Sequence, residues 1–526
     1  MWPKKSKPQE QTFAFVGEPR ALTGHTATYA IESLASDAIV LHAVPDFAEL
    51  CDAMGTPAPA ADDPQLKDNL IICQQDQLGA LAAKTSGFAL TGLRSVAITS
   101  SLAGMHESLY AMAGKRLACV INLTCRALPR QSAALHGGHD DYYAAAAAGF
   151  VQLFASNVQQ VADFSLIAHR IAELSLTPVI CAQDFYDTSH SLQNVYLPGQ
   201  QLISKYLGRS EDSISSPTPA QVLLYGEQRR RIPVLVDRDH PAGIGGVQDR
   251  DSYFRAVAAQ RAYFYDHCEA LVDLAMQEYG ELTGRFYNKV AGYLHDDAEV
   301  LVVAQGAVTE ELRASVDYLR KQEKIKAGIV NINVLRPFPG AQLTHMLKGK
   351  KAVTVLERTD QPLAEDLPLM QEIRCAIDRA LENGQANSPP YPGHETYHKL
   401  ADRPQLFSAI YGIGCEIPSA RELLAVYRNM RAADGGKRCF YLDVNFGQAD
   451  RRFPYLQTLQ QSLNKDYPQL QQLSLSTVDM PVIPAQGAQS IQIHSLSSQG
   501  GLFAGNIFRN AADQLTEVLQ HLFGQL

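Results

Sequence analysis

The sequence predicts a multidomain α/β protein whose first domain is built on a doubly wound parallel sheet. A chain of 526 residues is too long for a single hydrophobic core and indicates several domains. Between Ala21 and Asp184, short and nearly continuous apolar runs alternate with stretches whose apolar residues recur at helical spacing. Apolar strands separated by helices are typical of a parallel sheet that is covered by helices on both faces.

The elements of the first domain follow in order from this alternation. Its predicted strands are apolar runs at residues 38–44, 70–73, 96–99, 119–125, 150–155 and 178–183. Its predicted helices fill the intervals at residues 46–55, 76–92, 101–115, 140–149 and 157–175. Ligands of such sheets bind beyond the carboxyl ends of the strands, so polar residues that directly follow a strand are the candidates for function.

The remaining chain divides into a connection, a second α/β unit and an unfinished third one. The second unit has predicted strands at residues 299–306, 327–335 and 352–357, with a helix at 308–324. Residues 490–526 look like one strand, a Ser/Gly turn and one helix, which cannot bury their apolar faces without further elements. The predicted boundaries are 1–206 for the first domain, 207–270 for the connection, 271–430 for the second domain and 437–526 for the incomplete third domain.

Composition and charge exclude several classes of protein. A net charge of −9 argues against a nucleic-acid partner, because neutralising phosphates requires a basic face. The sequence contains no stretch with the roughly 18–20 apolar residues of a membrane helix, so no membrane partner is expected. The nine cysteines are scattered, often inside apolar runs, which predicts reduced thiols in a cytoplasm. Since there is no C-x-x-C pair, iron–sulfur clusters are expected on partner chains rather than on this one.

Polar side chains crowd the segment that follows the predicted strand 119–125. Arg126 and Arg130 could bind a carboxylate or phosphate through the planar guanidinium, or form surface salt bridges. The run from His136 to Asp141 permits a metal site, but a glycine turn followed by an aspartate that caps the next helix explains it better. Asp76 follows the strand 70–73. It could bind a ligand at the end of the strand, or it could cap the helix that begins there.

Longer segments resemble the pyruvate:ferredoxin (flavodoxin) oxidoreductases and related 2-oxoacid:ferredoxin oxidoreductases. The resemblance is carried by residues 23–47, 123–190, 245–290, 302–319, 333–339 and 356–373. It implies a pyrimidine-type thiamine-diphosphate-binding domain, a transketolase C-terminal-like α/β domain and the beginning of a third, gamma-like α/β domain. In this family the thiamine ylide attacks the 2-oxo carbonyl, CO₂ leaves, two electrons pass singly to iron–sulfur clusters and coenzyme A takes the acyl group.

The resemblance assigns roles to individual residues, some of which depart from the family pattern. Arg126, in C-R-A-L, matches the family's arginine that binds the substrate carboxylate. Asp76 stands where the family has a glutamate against the pyrimidine N1′, so it is the candidate catalytic and cofactor-binding carboxylate. Val44 replaces the threonine of the family's Y-P-I-T-P substrate loop, and His42 is a new polar group that could substitute for the lost hydroxyl. Thr99 and Ser100 belong to the segment that replaces the family's S-Q-G and are candidate cofactor contacts.

These observations predict an alpha-like subunit of a thiamine-dependent oxidoreductase that acts on a 2-oxo acid, with pyruvate the expected substrate. Partner chains would supply the Mg²⁺- and diphosphate-binding beta-like part, the rest of the gamma-like domain and the ferredoxin-like part, with ferredoxin or flavodoxin as acceptor. An enzyme of the same kind with another 2-oxo acid remains open, because the altered loop falls where substrate would lie. The alternative is a non-catalytic assembly subunit, since the family's G-L-G-S-D-G-T loop also departs here, at Ser495–Gly501.

Overall fold

The computed structural model describes residues 13–42, 69–134, 136–239, 244–415, 417–433, 435–442, 444 and 454–475. All of them belong to one compact unit. Val44, the 495–501 loop and the predicted strand–turn–helix at 490–526 lie outside the described residues. The predictions made for them therefore stay predictions.

The strands alternate with helices along most of the described chain, as the sequence predicts. The strands are β1 Glu18–Leu22, β2 Ala38–His42, β3 Ile71–Gln75, β4 Ser95–Thr99, β5 Cys119–Cys125, β6 Val151–Ala155, β7 Val179–Asp184, β8 Gln193–Leu197, β9 Ser213–Ser215, β10 Gln228–Arg230, β11 Val290–Tyr293, β12 Val300–Ala304, β13 Ala327–Ile332, β14 Val334–Arg336, β15 Ala352–Glu357, β16 Gln405–Ile410 and β17 Cys439–Tyr441. The helices are α1 Gly24–Ala35, α2 Leu78–Leu90, α3 His106–Gly114, α4 Asp140–Ala144, α5 Val158–Ser175, α6 Gln200–Tyr206, α7 Pro219–Tyr225, α8 Arg250–Tyr263, α9 Cys268–Thr283, α10 Val308–Tyr318, α11 Gly340–Leu347, α12 Pro368–Gln385, α13 Ala420–Met430 and α14 Pro454–Asp466.

The first sheet confirms the predicted parallel architecture. Its strand order is β14-β6-β7-β5-β4-β2-β3, and the strands from β2 to β7 pair in parallel. The strands β4 to β7 are almost wholly buried, because helices cover both faces of this part of the sheet. Since the strands are parallel, their carboxyl ends meet at one edge, where the candidate residues after β2, β3, β4 and β5 also lie.

The second sheet has the order β11-β13-β12-β15-β16-β17, with β11 antiparallel to its neighbour β13. A continuous hydrophobic core runs from the first sheet into the second and contains, among others, Ile121, Phe154, Val303, Val355 and Ile373. The loops that follow β15 and β16 contact the edge of the first sheet that carries the candidate residues, as described below. Two smaller antiparallel pairs, β1–β8 and β9–β10, complete the described strands.

One predicted strand is divided between the two sheets in the structure. The run 327–335, predicted as one strand, forms β13 in the second sheet and β14, which pairs antiparallel with β6 in the first sheet. An apolar run indicates that the segment is buried, but it does not indicate which of two sheets the segment joins. β17 lies inside the range 437–526 predicted for the third domain and pairs in parallel with β16 at the edge of the second sheet, while the domain boundary itself stays a prediction.

No helix in the described ranges is long and apolar enough to cross a bilayer. The cysteines that the structure describes carry free thiols, and burial raises the pKa of several of them, including Cys119 and Cys181.

Candidate active site

Three of the predicted site residues meet at the carboxyl ends of neighbouring strands. β2 lies between β3 and β4, so His42 at its end is flanked by the ends of both neighbours. Thr99 ends β4, and Asp76 follows β3 directly. Asp76 does not cap α2, whose N-cap residue is Gln77. Its side chain is exposed at the rim of the sheet.

His42 connects the other two residues. Its Nδ1 lies 3.2 Å from Thr99 Oγ1, at hydrogen-bond distance. Partial burial lowers the pKa of His42, and the backbone carbonyl and carboxylate of Asp76 act against this lowering. His42 is therefore a neutral imidazole near pH 7, able to relay a hydrogen bond between the ends of β3 and β4.

The loop after β4 is held by an aspartate from the neighbouring segment. The Thr99 hydroxyl donates to the Ser101 carbonyl at 3.0 Å, which fixes the loop around the buried Ser100. Asp141 accepts hydrogen bonds from Ser101 Oγ at 2.7 Å and from the Leu102 N–H at 2.8 Å. Asp140 and Asp141 lie in the first turn of α4, where a capping aspartate is predicted, but their carboxylates accept hydrogen bonds from partners outside the helix. The N-cap of α4 is His139, and Asp141 binds across the site instead.

Arg126 lies at the carboxyl end of β5, at the beginning of a turn that spans residues 126–140, of which Leu135 lies outside the described residues. The turn folds back on itself: Arg126 forms a β-bridge with Gly137, and the Ala127 N–H donates to the His136 carbonyl at 3.0 Å. The Arg126 side chain is half-buried, with its guanidinium carbon 6.0 Å from the ring centre of Phe185.

Phe185, the ring beside this arginine, belongs to a cluster of aromatic and imidazole rings. Phe185 packs against His190, which stacks on Tyr186 with ring centres 4.7 Å apart. His25, at the beginning of α1, lies 5.0 Å from His190 between ring centres and 3.3 Å from Thr124 Oγ1. Burial, aided by His190, lowers the pKa of His25 to about 3, so this ring is neutral. Phe185, the ring that faces Arg126, is uncharged and buried, and a less polar wall strengthens the attraction of the guanidinium for an anion.

A buried ion network lies beneath the turn. His139 Nε2 lies 2.8 Å from Asp184 Oδ1, and Arg358 donates to the same oxygen at 2.9 Å. The Asp184 side chain is 0% exposed, and its second oxygen accepts from the Ala307 N–H at 2.8 Å. Although burial opposes it, His139 and Arg358 hold the pKa of Asp184 well below its usual range.

Three side chains of the run from His136 to Asp141, which the metal hypothesis named, have other partners. His139 is directed at Asp184, Asp140 accepts from Arg130 and Thr359, and Asp141 holds the loop after β4. In the part of the chain that the structure describes, no group of three or more His, Cys, Asp or Glu side chains is arranged to hold a metal ion.

Sequence reasoning missed Asp184, Arg358, His25 and His190. Asp184 ends the apolar run of β7 at the same edge as Arg126, and that position was a usable signal. Arg358 lies in LERTDQP, a segment that carries the resemblance but received no role. Its distance of more than 200 positions from the turn hides the contact, because spacing along the chain carries no information on which loops of two sheets meet.

Comparison with known proteins identifies the family. Residues 53–277 match the family described as "Pyruvate flavodoxin/ferredoxin oxidoreductase, thiamine diP-bdg", and residues 298–389 match "Pyruvate:ferredoxin oxidoreductase core domain II". The pyruvate-flavodoxin oxidoreductase of Nostoc sp. is 27% identical over 377 residues, which are 71% of this chain and 29% of that protein. The pyruvate synthase subunit PorA of Thermotoga maritima is 31% identical over 332 residues, which are 62% of this chain and 74% of that subunit.

A solved 2-oxoglutarate:ferredoxin oxidoreductase from Magnetococcus marinus aligns with a TM-score of 0.49 at 16% identity, covering 78% of this chain and 65% of that one. The chain spans less than a third of the length of the Nostoc relative, and likewise of the probable pyruvate-flavodoxin oxidoreductase of Escherichia coli, where it covers 28%. It spans about three quarters of the Thermotoga subunit. On the identity and coverage of that last match, the chain belongs to the pyruvate flavodoxin/ferredoxin oxidoreductase family.

Proposed function

We propose that this chain is the alpha-like subunit of a thiamine-dependent pyruvate:ferredoxin or flavodoxin oxidoreductase. In the proposed reaction a 2-oxo acid and coenzyme A give CO₂ and acyl-CoA, and two electrons pass to iron–sulfur clusters on partner chains and from there to ferredoxin or flavodoxin. The observation that carries the proposal is the arrangement of an exposed carboxylate, Asp76, and a guanidinium, Arg126, along one edge of a parallel sheet. One can bind a heterocycle nitrogen and the other a substrate carboxylate.

The residues present fit the pyrimidine half of thiamine diphosphate. Asp76 offers a carboxylate acceptor at an open rim, and His42 and Thr99 next to it offer further hydrogen-bonding atoms. Thiamine diphosphate, when bound, supplies the carbanion that makes decarboxylation of a 2-oxo acid feasible. The role proposed for Asp76 is to hold the proton on the pyrimidine nitrogen, and that of His42, Thr99 and Ser100 to line the cofactor.

Arg126 would orient the substrate. Its planar guanidinium can bind both oxygens of a carboxylate, and the buried ring of Phe185 beside it limits access of water without competing for the anion. Val44 would complete the substrate side in the place of the family's threonine. A substrate other than pyruvate would be selected at the same place.

The proposed partners are the other subunits of such an oxidoreductase. Mg²⁺ and the diphosphate would be held by a beta-like chain, and the clusters by a ferredoxin-like chain. The Thermotoga relative is by name a subunit, which supports an assembly of separate chains. The named relatives are enzymes, so the alternative of a non-catalytic assembly subunit is not favoured.

The composition of the native complex tests the proposal. We expect the complex, purified through a tag on this chain, to contain about one thiamine diphosphate and several irons per copy of the chain, and to reduce ferredoxin or flavodoxin with pyruvate and coenzyme A. Partners that copurify without thiamine diphosphate would overturn the proposal in favour of an assembly subunit.

Replacement of Arg126 tests the substrate site. A charge-assisted hydrogen bond contributes about 1.5–3 kcal/mol, so Arg126→Gln should raise the KM for pyruvate roughly 10- to 100-fold. Thiamine content should not change. Arg20→Gln, at an exposed surface pair with Glu18, is the control and should leave KM as it is. An unchanged KM in Arg126→Gln would remove Arg126 from the substrate site.

A further inference from the structure

We propose that Arg358, at the end of β15 in the second sheet, is a positioning residue that sets the place of Arg126 in the first sheet. The substrate part of this inference depends on the proposed function, while its structural part does not. The contacts form a chain of three steps, from Arg126 to the far side of its turn, from there to the second sheet, and from the second sheet to the buried carboxylates of the first.

The first step lies within the 126–140 turn. The bridge between Arg126 and Gly137 places the two strands of the turn side by side. The Gly138 N–H donates to the Cys125 carbonyl at 3.1 Å, and the Ala127 N–H donates to the His136 carbonyl at 3.0 Å. The position of Arg126 therefore follows that of residues 136–138.

The second step joins those residues to two loops of the second sheet. The His139 N–H donates to the Arg358 carbonyl at 2.9 Å, and the Gly414 N–H donates to the Gly137 carbonyl at 2.9 Å. Thr359 Oγ1 donates to Asp140 Oδ1 at 2.7 Å. We call Arg358, Thr359 and Gly414 the brace. It holds the turn from the side opposite to β5.

The guanidinium of Arg358 also packs directly on the turn. A Cβ atom at Gly137 would lie 2.6 Å from Nη1 of Arg358, so the contact requires a glycine there. The glycine is explained by the close approach of an arginine from the second sheet and not by its backbone conformation, because the φ of Gly137 lies outside the left-handed region. The glycine that bridges Arg126 is thus in van der Waals contact with Arg358.

The third step fixes Arg358 itself. Its side chain is 0% exposed and donates to Asp184 at 2.9 Å and to Asp187 at 2.6 Å. It also donates to the carbonyls of Gly412 at 2.9 Å and Cys415 at 2.6 Å. Four acceptors in different directions demand the planar, many-donor fork of arginine, which a lysine cannot reproduce. The side chain of Arg358 is therefore held in one conformation. Because Arg358 contacts Gly137 and His139, it also fixes the position of the turn and with it that of Arg126.

Arg358→Lys tests the inference, because it keeps the charge and loses the fork. Hydrogen exchange of the native complex should show the amides of Ala127, Gly138 and His139 exchanging at least about 10-fold faster in the variant. The KM for pyruvate should rise about 10-fold or more with kcat changed less, since a displaced Arg126 weakens binding of the carboxylate before and during reaction. Thiamine content should be unchanged.

Arg285→Lys is the matched control. Arg285 also forms a largely buried bidentate pair, with Asp163 of α5, at 2.6 and 2.9 Å, but it does not belong to the brace. It should change neither the exchange of the three turn amides nor the KM. If these amides keep their protection in Arg358→Lys, or lose it equally in Arg285→Lys, the inference is overturned.

Thr359→Val keeps the inference testable if Arg358→Lys does not fold. It removes the hydrogen bond to Asp140 without changing the size of the side chain, and a 2- to 5-fold faster exchange of the His139 amide is expected. An unchanged rate would contradict the brace. If the wild-type complex turns over no 2-oxo acid, the proposed function fails, while the exchange rates still decide whether Arg358 positions the turn.

Discussion

Asp76 and Asp184 are two aspartates at the carboxyl ends of strands in the same parallel sheet, and they occupy opposite environments. Asp76 is exposed at the rim beside His42. Asp184 is fully buried and bound by His139, Arg358 and the Ala307 N–H. The difference separates a carboxylate that is open to a ligand from one whose hydrogen-bonding capacity is used inside the protein. The position of a residue after a strand therefore marks both aspartates as candidates. Their burial and their hydrogen-bond partners show that only Asp76 is open to a ligand.

Replacement of Asp76 should have the largest effect on activity and almost none on stability. Loss of a positioned acid–base group costs roughly 10²- to 10⁴-fold in rate, so Asp76→Asn should lower kcat by that range. Its exposed side chain should leave the free energy of unfolding within about 0.5 kcal/mol. Activity and urea midpoints of the same preparations measure both.

Asp76→Glu, which restores the family's residue, is the companion variant and should keep activity at or above that of the parent. Full activity in Asp76→Asn would take this carboxylate out of the reaction.

Replacement of Asp184, unlike that of Asp76, should strongly lower the free energy of unfolding. Asp184→Ala leaves Arg358 and His139 buried without their carboxylate, and breaking one side of a buried ion pair costs about 3–5 kcal/mol. The urea midpoint of the variant should fall accordingly. The control is Glu18→Ala, which removes the exposed partner of Arg20 and should cost less than about 1 kcal/mol. Equal losses in the two variants would contradict the role of burial.

Replacement of Gly137 should lower stability less than replacement of Asp184 and tests the contact between the turn and Arg358. In Gly137→Ala the new methyl group meets the Arg358 guanidinium at 2.6 Å, and such overpacking costs about 1–3 kcal/mol. Gly87→Ala, inside α2 with nothing within 4 Å of the new atom, is the matched control and should stabilise by about 0.5–1 kcal/mol. Thermal midpoints of both variants provide the measurement, and equal shifts would contradict a tight contact at Gly137.

A third carboxyl, Glu357, gives an effect on stability whose size depends on pH. Burial raises the pKa of Glu357 to about 8. The hydrogen bonds that its carboxylate accepts from the N–H groups of Leu369 and Met370 act against this rise. A carboxyl whose pKa is raised by folding contributes stability below its unfolded pKa of about 4.3, and this contribution is lost as the pH rises towards 8. Glu357→Gln should therefore gain stability relative to the parent by up to about 1.4 kcal/mol per pH unit between about pH 5 and 8.

The pH dependence of the stability that Asp184 contributes has the opposite sign to that of Glu357. The pKa of Asp184 is depressed, so its stabilising contribution is present above about pH 4 and is lost only on acidification. Urea midpoints of the parent and of Glu357→Gln at three pH values would show the slope. A flat difference would mean that Glu357 stays ionised in the folded protein.

The sequence by itself determined the fold class and much of the first sheet. The runs 119–125 and 352–357 coincide with β5 and β15, because nearly continuous apolar runs of this length are buried wherever they occur in an α/β protein. Parallel strands also bring their carboxyl ends together, so the nearness of His42, Asp76 and Thr99 was predictable from their positions after neighbouring strands. The domain boundaries and the roles of Val44 and the 495–501 loop stay predictions.

Tertiary structure alone decided how the site is held. No local pattern could place β14 on the first sheet, since the choice depends on which exposed strand edge lies near. Nor could it predict that Arg358 lies against Gly137, or that Asp141 binds the loop after β4 and not its own helix. Propensity and apolar spacing act over a few residues, whereas these contacts depend on how two sheets pack, and a buried charge is stable only where that packing brings its partners.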